Sequence, residues 1–159
     1  MLVLISTPIG NLGDLSARAG ETLREVDIIA CEDTRQTRKL LSLTGLEPRG
    51  KLYPYHDHNG AEMRPKLLSA LKEGKKIALV SDAGTPLISD PGYKLVAACH
   101  AENIAVSAVP GPSAALMALT ISGLPSDQFA FLGFVPTKKK QAEAAISAAA
   151  KLPMTQIWF

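Results

Sequence analysis

The sequence predicts an α/β fold: a mainly parallel sheet flanked by helices, followed by the start of a truncated second α/β domain. Three observations predict it. Short apolar runs alternate with amphipathic segments along most of the chain. The links between them are short, as in repeated strand–helix–strand units. Three of the apolar runs end in loops dense in Gly, Pro, Ser and Asp, around Pro8, Gly84 and Ser113. Loops at the carboxyl ends of parallel strands are where α/β sheets bind ligands, so these three are expected to line one crevice.

Leu2 to Ser6 reads as the first buried strand, and Thr7 to Asp14 as a turn-rich loop. Asp14 or Ser16 can cap the helix that follows, to about Val26. The loop has neither a Gly-x-Gly-x-x-Gly pattern nor a following Gly-Lys-Ser/Thr, which argues against a Rossmann or Walker phosphate cradle. Asp27 to Cys31 is the second buried strand. It runs into Glu32-Asp33-Thr34-Arg35, where Asp33 or Thr34 can cap a helix reaching about Thr44, stopped by Gly45. Arg35, Arg38 and Lys39 share one face of that helix. Two acids at a strand end followed by three cations make either a site or a capped helix with a solvated basic face.

Lys51 to Tyr55 is a weak strand, kept short or at the edge by Pro54. His56-Asp57-His58-Asn59-Gly60 follows. Two imidazoles and one carboxylate fall short of a metal ligand set, and no metal site is expected; a substrate-orienting loop and a plain solvent loop both fit. Ala61 to Glu73 reads as a helix ended by Gly74, and Ile77 to Val80 as a buried strand. The segment Ser81 to Gly92 after it holds two Gly, two Pro and two Asp, so it can continue neither strand nor helix and must be a shaped loop. A helix from about Tyr93 to Glu102, a strand at Ala105 to Val109, and the loop Pro110 to Ala115 opening a small-residue helix to about Ser122 complete the first domain, 1–122. Gly123 to Ser126 reads as the boundary. In 123–159, Phe129 to Val135 and Met154 to Phe159 read as strands around an Ala-rich helix. Two strands and one helix cannot bury a core, so this part is expected to be the linker and beginning of an incomplete domain.

Composition narrows the classes. The chain has 159 residues, 47% of them apolar and 20% charged, with a net charge of +2. It is globular rather than disordered, and its charge neither demands nor excludes a nucleic-acid partner. Cys31 and Cys99, far apart and in apolar surroundings, read as buried free thiols of a reducing compartment. No apolar run approaches the ~18 residues of a membrane span, and no signal segment leads the chain. A soluble, cytoplasmic protein with no membrane partner is expected.

Several segments together resemble the tetrapyrrole-methylase-like superfamily of S-adenosylmethionine (SAM) methyltransferases. They are Thr7 to Leu12, Glu32 to Arg35, His56 to Asn59, Val80 to Gly92, Pro110 to Ala114, Gly123 to Asp127 and Gly133 to Pro136. Within the superfamily the likeness is strongest to the bacterial group that methylates a cytidine 2′-hydroxyl in 16S ribosomal RNA. The resemblance implies a SAM crevice and a homodimer, with 16S rRNA of the small ribosomal subunit as partner. It implies that Pro8, Ala83, Gly84, Thr85, Ile88, Ser113 and Ala114 border the cofactor.

Methyl transfer from a sulfonium is an in-line displacement, so the protein mainly aligns the reactants. A ribose hydroxyl is a weak nucleophile, and a carboxylate can accept its proton. Glu32 or Asp33 is the candidate base. Arg35 can orient that carboxylate or grip an RNA phosphate. Arg38, Lys39, His56 and His58 are the further candidates for RNA contact. Two other readings fit the sequence: a methyltransferase acting on a corrin or porphyrin precursor or another small substrate, and a non-catalytic RNA- or ligand-binding module. The 159-residue chain alone is expected to bind SAM weakly and to be inactive.

Overall fold

A computed structural model describes residues 1–159. Its first strand, β1 (Leu2–Ile5), is followed by a single 3-10 turn at Leu12–Asp14 and then α1 (Ala17–Glu25). Ser16 is the cap of α1, its hydroxyl accepting the Ala19 amide at 3.2 Å, while Asp14 ends the 3-10 turn. The chain continues through β2 (Ile28–Cys31), α2 (Thr34–Leu43), β3 (Lys51–Pro54), α3 (Gly60–Lys72), β4 (Ile77–Val80), α4 (Tyr93–Ala101) and β5 (Val106–Val109). These form one five-stranded sheet in the order β3-β2-β4-β1-β5, with every pair parallel.

The pairing puts Pro54, Cys31, Val80, Ile5 and Val109 on one rung. All five strands therefore stop at the same height, and the loops that follow leave from a level rim. Successive side chains of a strand point to opposite faces, and both faces are apolar. On one, Val3, Ile5, Ile29, Cys31, Ala78 and Val80 pack with Ala19 and Leu23 of α1 and Leu41 of α2. On the other, Leu2, Ala30, Ile77 and Leu79 pack with Leu67 and Leu71 of α3 and Leu95 and Cys99 of α4. Burial on both faces explains why the strands read as continuous apolar runs. Both cysteines are free and buried. No helix is long and apolar enough to cross a membrane.

The chain divides into two compact units, Met1–Ser113 and Ala114–Phe159. The second holds α5 (Ala114–Ser122), β6 (Phe129–Phe131), α6 (Lys139–Ala149) and β7 (Thr155–Ile157), with β6 and β7 parallel. Here the structure differs from the sequence boundary after Ser122: Ala115 and Leu119 of α5 cluster with Ile157 and Phe131, so this helix joins the later strands. β6 is shorter than the apolar run suggested. It ends before Gly133, whose φ of +77° turns the chain out of extended geometry.

Candidate functional site: the carboxyl rim of the sheet

Three loops meet at the rim between β1, β4 and β5. The first and second form a short antiparallel bridge. The Thr7 amide donates to the Gly84 carbonyl at 2.9 Å and the Gly84 amide to the Thr7 carbonyl at 3.0 Å. The Thr7 hydroxyl donates to the Ser81 carbonyl at 3.2 Å. Thr85 joins all three loops: its hydroxyl donates to the Pro112 carbonyl at 2.9 Å and accepts from Ser6 Oγ at 3.2 Å.

Small residues make this junction possible. A Cβ on Gly111 would lie 2.9 Å from the Ser6 Cβ, closer than real Cβ atoms come. Gly84 has φ +83°, and a Cβ there would sit 3.5 Å from Ile9 and 3.9 Å from the Pro112 carbonyl, in the space where the loops converge. Leu87 and Ser89 also adopt left-handed backbone, at φ +75° and +62°. Such geometry costs about 1–3 kcal/mol per residue and persists where the surroundings enforce it, commonly at functional loops. Leu87 is held by packing against the α3–α4 core.

Of the residues expected to border a cofactor, Pro8, Gly84, Thr85 and Ser113 sit on these joined loops. Ala83 and Ile88 are exposed on the central one, and Ala114 opens α5 in the second unit. A hollow of about 290 Å³ lies beside the junction, lined by Pro8, Gly10 and Leu12, by Gln36 and Lys39 of α2, and by Asp82. Neither Gly84 nor Ser113 lines it. A larger hollow of about 410 Å³, between α1 and the end of α2, is lined by none of Pro8, Gly84 or Ser113 and lies away from this junction.

The acids after β2 take separate roles. Asp33 caps α2: its Oδ1 accepts the Arg35 amide at 2.8 Å, and its carboxylate takes the Arg35 guanidinium at 2.7 Å. The Arg35 side-chain hydrogen bond, with the backbone amide, holds the Asp33 carboxyl well down, to about 2. Glu32 is half-buried and unpaired. Burial pushes its carboxyl above the ordinary glutamate range, and the charges of Asp90, Asp82, Asp57 and Asp33 push it the same way. Asp90 is raised too, by burial first, with the Ser81 hydrogen bond opposing it and the charge of Asp82 adding a smaller push upward. Asp82 also fixes the neighbourhood, its Oδ1 accepting the Asp33 amide at 3.1 Å. Sequence reasoning assigned no role to Asp82 or Asp90. The local signal was slight: both lie in the Gly- and Pro-rich loop that follows the apolar run Ile77 to Val80.

The cations spread out. Arg35 is engaged by Asp33; Arg38 reaches Thr34 Oγ1 at 3.4 Å; Lys39 faces the hollow beside Pro8. His56 and His58 stand edge to face, ring centroids 5.9 Å apart, after β3. No group of three or more His, Cys, Asp or Glu is placed to hold a metal ion.

A level rim of parallel strands with joined strand-end loops defines an α/β domain with a ligand site at the carboxyl edge of its sheet, and the comparisons name its family. The model of the tetrapyrrole (corrin/porphyrin) methylases matches residues 1–157, and the chain belongs to that family. It is 52% identical over 158 residues to a Mesorhizobium japonicum protein named ribosomal RNA small subunit methyltransferase I, covering 99% of this chain and 53% of that one. An Escherichia coli protein of the same name is 50% identical over 158 residues, 99% of this chain and 54% of its own length. The chain thus spans about half the length of these curated relatives. Among solved structures, a diphthine synthase superposes with a TM-score of 0.75 at 15% identity, over 100% of this chain and 64% of that one. A Thermus thermophilus uroporphyrin-III-C-methyltransferase gives 0.60 at 22%, over 85% and 59%. At these identities both support the fold alone.

Proposed function

We propose that the protein transfers a methyl group from SAM to the ribose 2′-hydroxyl of a cytidine in 16S rRNA of the small ribosomal subunit. The observation that carries this reading is the junction of the first, second and third loops through Thr7, Gly84, Thr85 and Pro112, beside a half-buried acid with raised proton affinity. The names of the half-identical relatives favour ribosomal RNA over a tetrapyrrole as substrate.

The residues fit the cofactor the family implies. At Gly84 a side chain would fill the loop junction, and the small residues Ala83, Gly111 and Ser113 leave backbone within reach of a ligand. Pro8, Ala83, Gly84, Thr85, Ile88, Ser113 and Ala114 would hold SAM, which supplies an already activated methyl carbon. The protein's own contribution is placement and proton removal. Glu32 accepts the ribose hydroxyl proton, because its carboxylate is unpaired and its surroundings favour protonation. Asp33 is unsuited to that task, since protonating it would break the Arg35 pair. Asp33 and Arg35 instead fix the start of α2, and Arg38, Lys39, His56 and His58 face the RNA. The reading brings with it a cytoplasmic setting, where ribosomes are, and the homodimer the resemblance implies.

The test incubates the protein at the full length of its curated relatives with isolated small ribosomal subunits and methyl-labelled SAM, then digests the RNA to nucleosides. Label in 2′-O-methylcytidine is expected. Label on a base, or transfer only to a tetrapyrrole precursor, overturns the assignment.

A further inference from the structure

A third, smaller cavity of about 70 Å³ opens between the loop after β3 and the start of α4, lined in part by Tyr55, His56, Arg64 and Lys94. Two helices begin at it. The residue before α3 is Asn59, but its side chain makes no capping bond. It serves the loop instead, Oδ1 accepting the His56 amide and Nδ2 donating to the Pro54 carbonyl, both at 2.9 Å. The residue before α4 is Gly92, which has no side chain to cap with. The first-turn amides of Gly60, Ala61, Tyr93 and Lys94 therefore have no acceptor in the chain. Helix starts of this kind carry partial positive charge and free donors.

Side chains point to the same ligand class. Tyr55 is 3% exposed, lines the cavity, and its hydroxyl makes no hydrogen bond within the protein. His56 Nδ1 is buried without a partner. Arg64 and Lys94 add two cations against the single carboxylate of Asp57. Uncapped helix starts, unpartnered donors and a net positive lining together make an oxyanion receptor.

We infer that this cavity is a phosphate-binding site, gripping one tetrahedral phosphate group between the starts of α3 and α4 through Arg64, Lys94 and Tyr55. The pocket stands on its geometry alone. That the phosphate belongs to an RNA backbone rests on the methyltransferase reading. The loop after β3 that lines the cavity and the Glu32 that follows β2 leave adjacent, paired strands at Pro54 and Cys31, so a phosphodiester held here lies on the same rim as the acid that would take the ribose proton. The site would then set which nucleotide of the strand reaches Glu32.

The experiment titrates inorganic phosphate, and dimethyl phosphate as a diester, into isotope-labelled protein and follows amide resonances. Saturable shifts at Gly60, Ala61, Tyr93 and Lys94 are expected. Arg64→Gln should weaken binding about tenfold or more, since a hydrogen bond to a charged group contributes about 1.5–3 kcal/mol. Tyr55→Phe, which keeps the ring in the core, should weaken it several-fold, and Asp57→Asn should tighten it. Shifts that do not saturate, or that survive Arg64→Gln unchanged in a protein whose other resonances are native, overturn the site. A second arm measures binding of a 16S-derived RNA oligonucleotide. Competition by phosphate and loss in Arg64→Gln assign the phosphate to RNA. Phosphate binding with RNA affinity untouched by Arg64→Gln keeps the pocket, assigns it to a free phosphate and overturns the RNA assignment. Phosphate binding with no methyl transfer to ribosomal subunits refutes the proposed activity and leaves the pocket standing.

Discussion

Thr85→Val tests whether one hydroxyl joins the three loops. Valine replaces the hydroxyl by a methyl of similar size, so what is lost is mainly hydrogen bonding. Two bonds go: the donation to Pro112 at 2.9 Å and the acceptance from Ser6 at 3.2 Å. Each contributes about 0.5–1.5 kcal/mol net. Pro112 is half-buried, so water can replace the donor to its carbonyl, whereas Ser6 is buried and loses its acceptor outright. The expected loss is about 1–2 kcal/mol, or roughly 0.5–1 M in urea midpoint. Trp158 belongs to the second unit, so its fluorescence is the wrong probe. Far-UV circular dichroism, with amide exchange of β1 and β4, follows the right one. Ser6→Ala alone should cost about half as much, and the double variant should fall short of additivity by about 0.5 kcal/mol. A loss for Thr85→Val below about 0.3 kcal/mol, or strict additivity with Ser6→Ala, refutes the claim that this contact joins the loops. A SAM titration of the same variant should show weaker binding.

Glu32→Gln should abolish ribose methylation yet stabilise the fold at neutral pH. The Glu32 carboxyl is raised in the folded state, so its ionisation penalises folding as pH climbs past the ordinary glutamate value, and the penalty is complete above the folded one. The variant's stability gain should be present at pH 8 and absent at pH 4 in urea titrations, and wild-type methylation should fall as pH drops through the raised value. Asp33→Asn should do the reverse. The Asp33 carboxyl is depressed to about 2 from 3.8, so its contribution is present above the ordinary value and is lost as acid is added from there down to about 2. The variant should be less stable at pH 6 and level with wild type at pH 2, as read by circular dichroism. Gly92→Ala places a Cβ 2.7 Å from Leu79 Cδ2 at φ +133°. Backbone strain and overpacking each cost about 1–3 kcal/mol, so a loss of about 2–5 kcal/mol is expected by denaturant titration, eased in part by Leu79→Val.

The alternation of runs was enough to read a parallel sheet and to bring the loops after β1, β4 and β5 together. It could not reveal that β4 inserts between β1 and β2, because strand order depends on long-range packing rather than local pattern. The acidic neighbourhood of Glu32 was hidden for the same reason: Asp57 comes from the loop after β3 and Asp82 and Asp90 from the loop after β4, and they converge on it only once the strands are paired. The choice between Ser16 and Asp14, or Asp33 and Thr34, as caps lay beyond sequence reasoning, since each residue type can fill the role and the start of the helix decides. The helix from Ala114 to Ser122 is small and apolar on most sides, so its pattern named no partner; Phe131 and Ile157 supplied one. Tyr55 looked like the end of a weak strand, and nothing local marked its hydroxyl as a donor waiting beside two helix starts.

The flush ending of the five strands has an evolutionary consequence. Where strands finish at uneven depths, an altered connection must also bridge a step, and the layers beneath feel it. Here each connection springs from the same plane, with apolar packing complete below it on both sides. Lengthening or rewriting one connection changes what the surface above can seize while the foundation stays put. A lineage built on such a platform can trade acceptor molecules by editing short stretches of chain, and its members can diverge far in sequence while keeping one backbone.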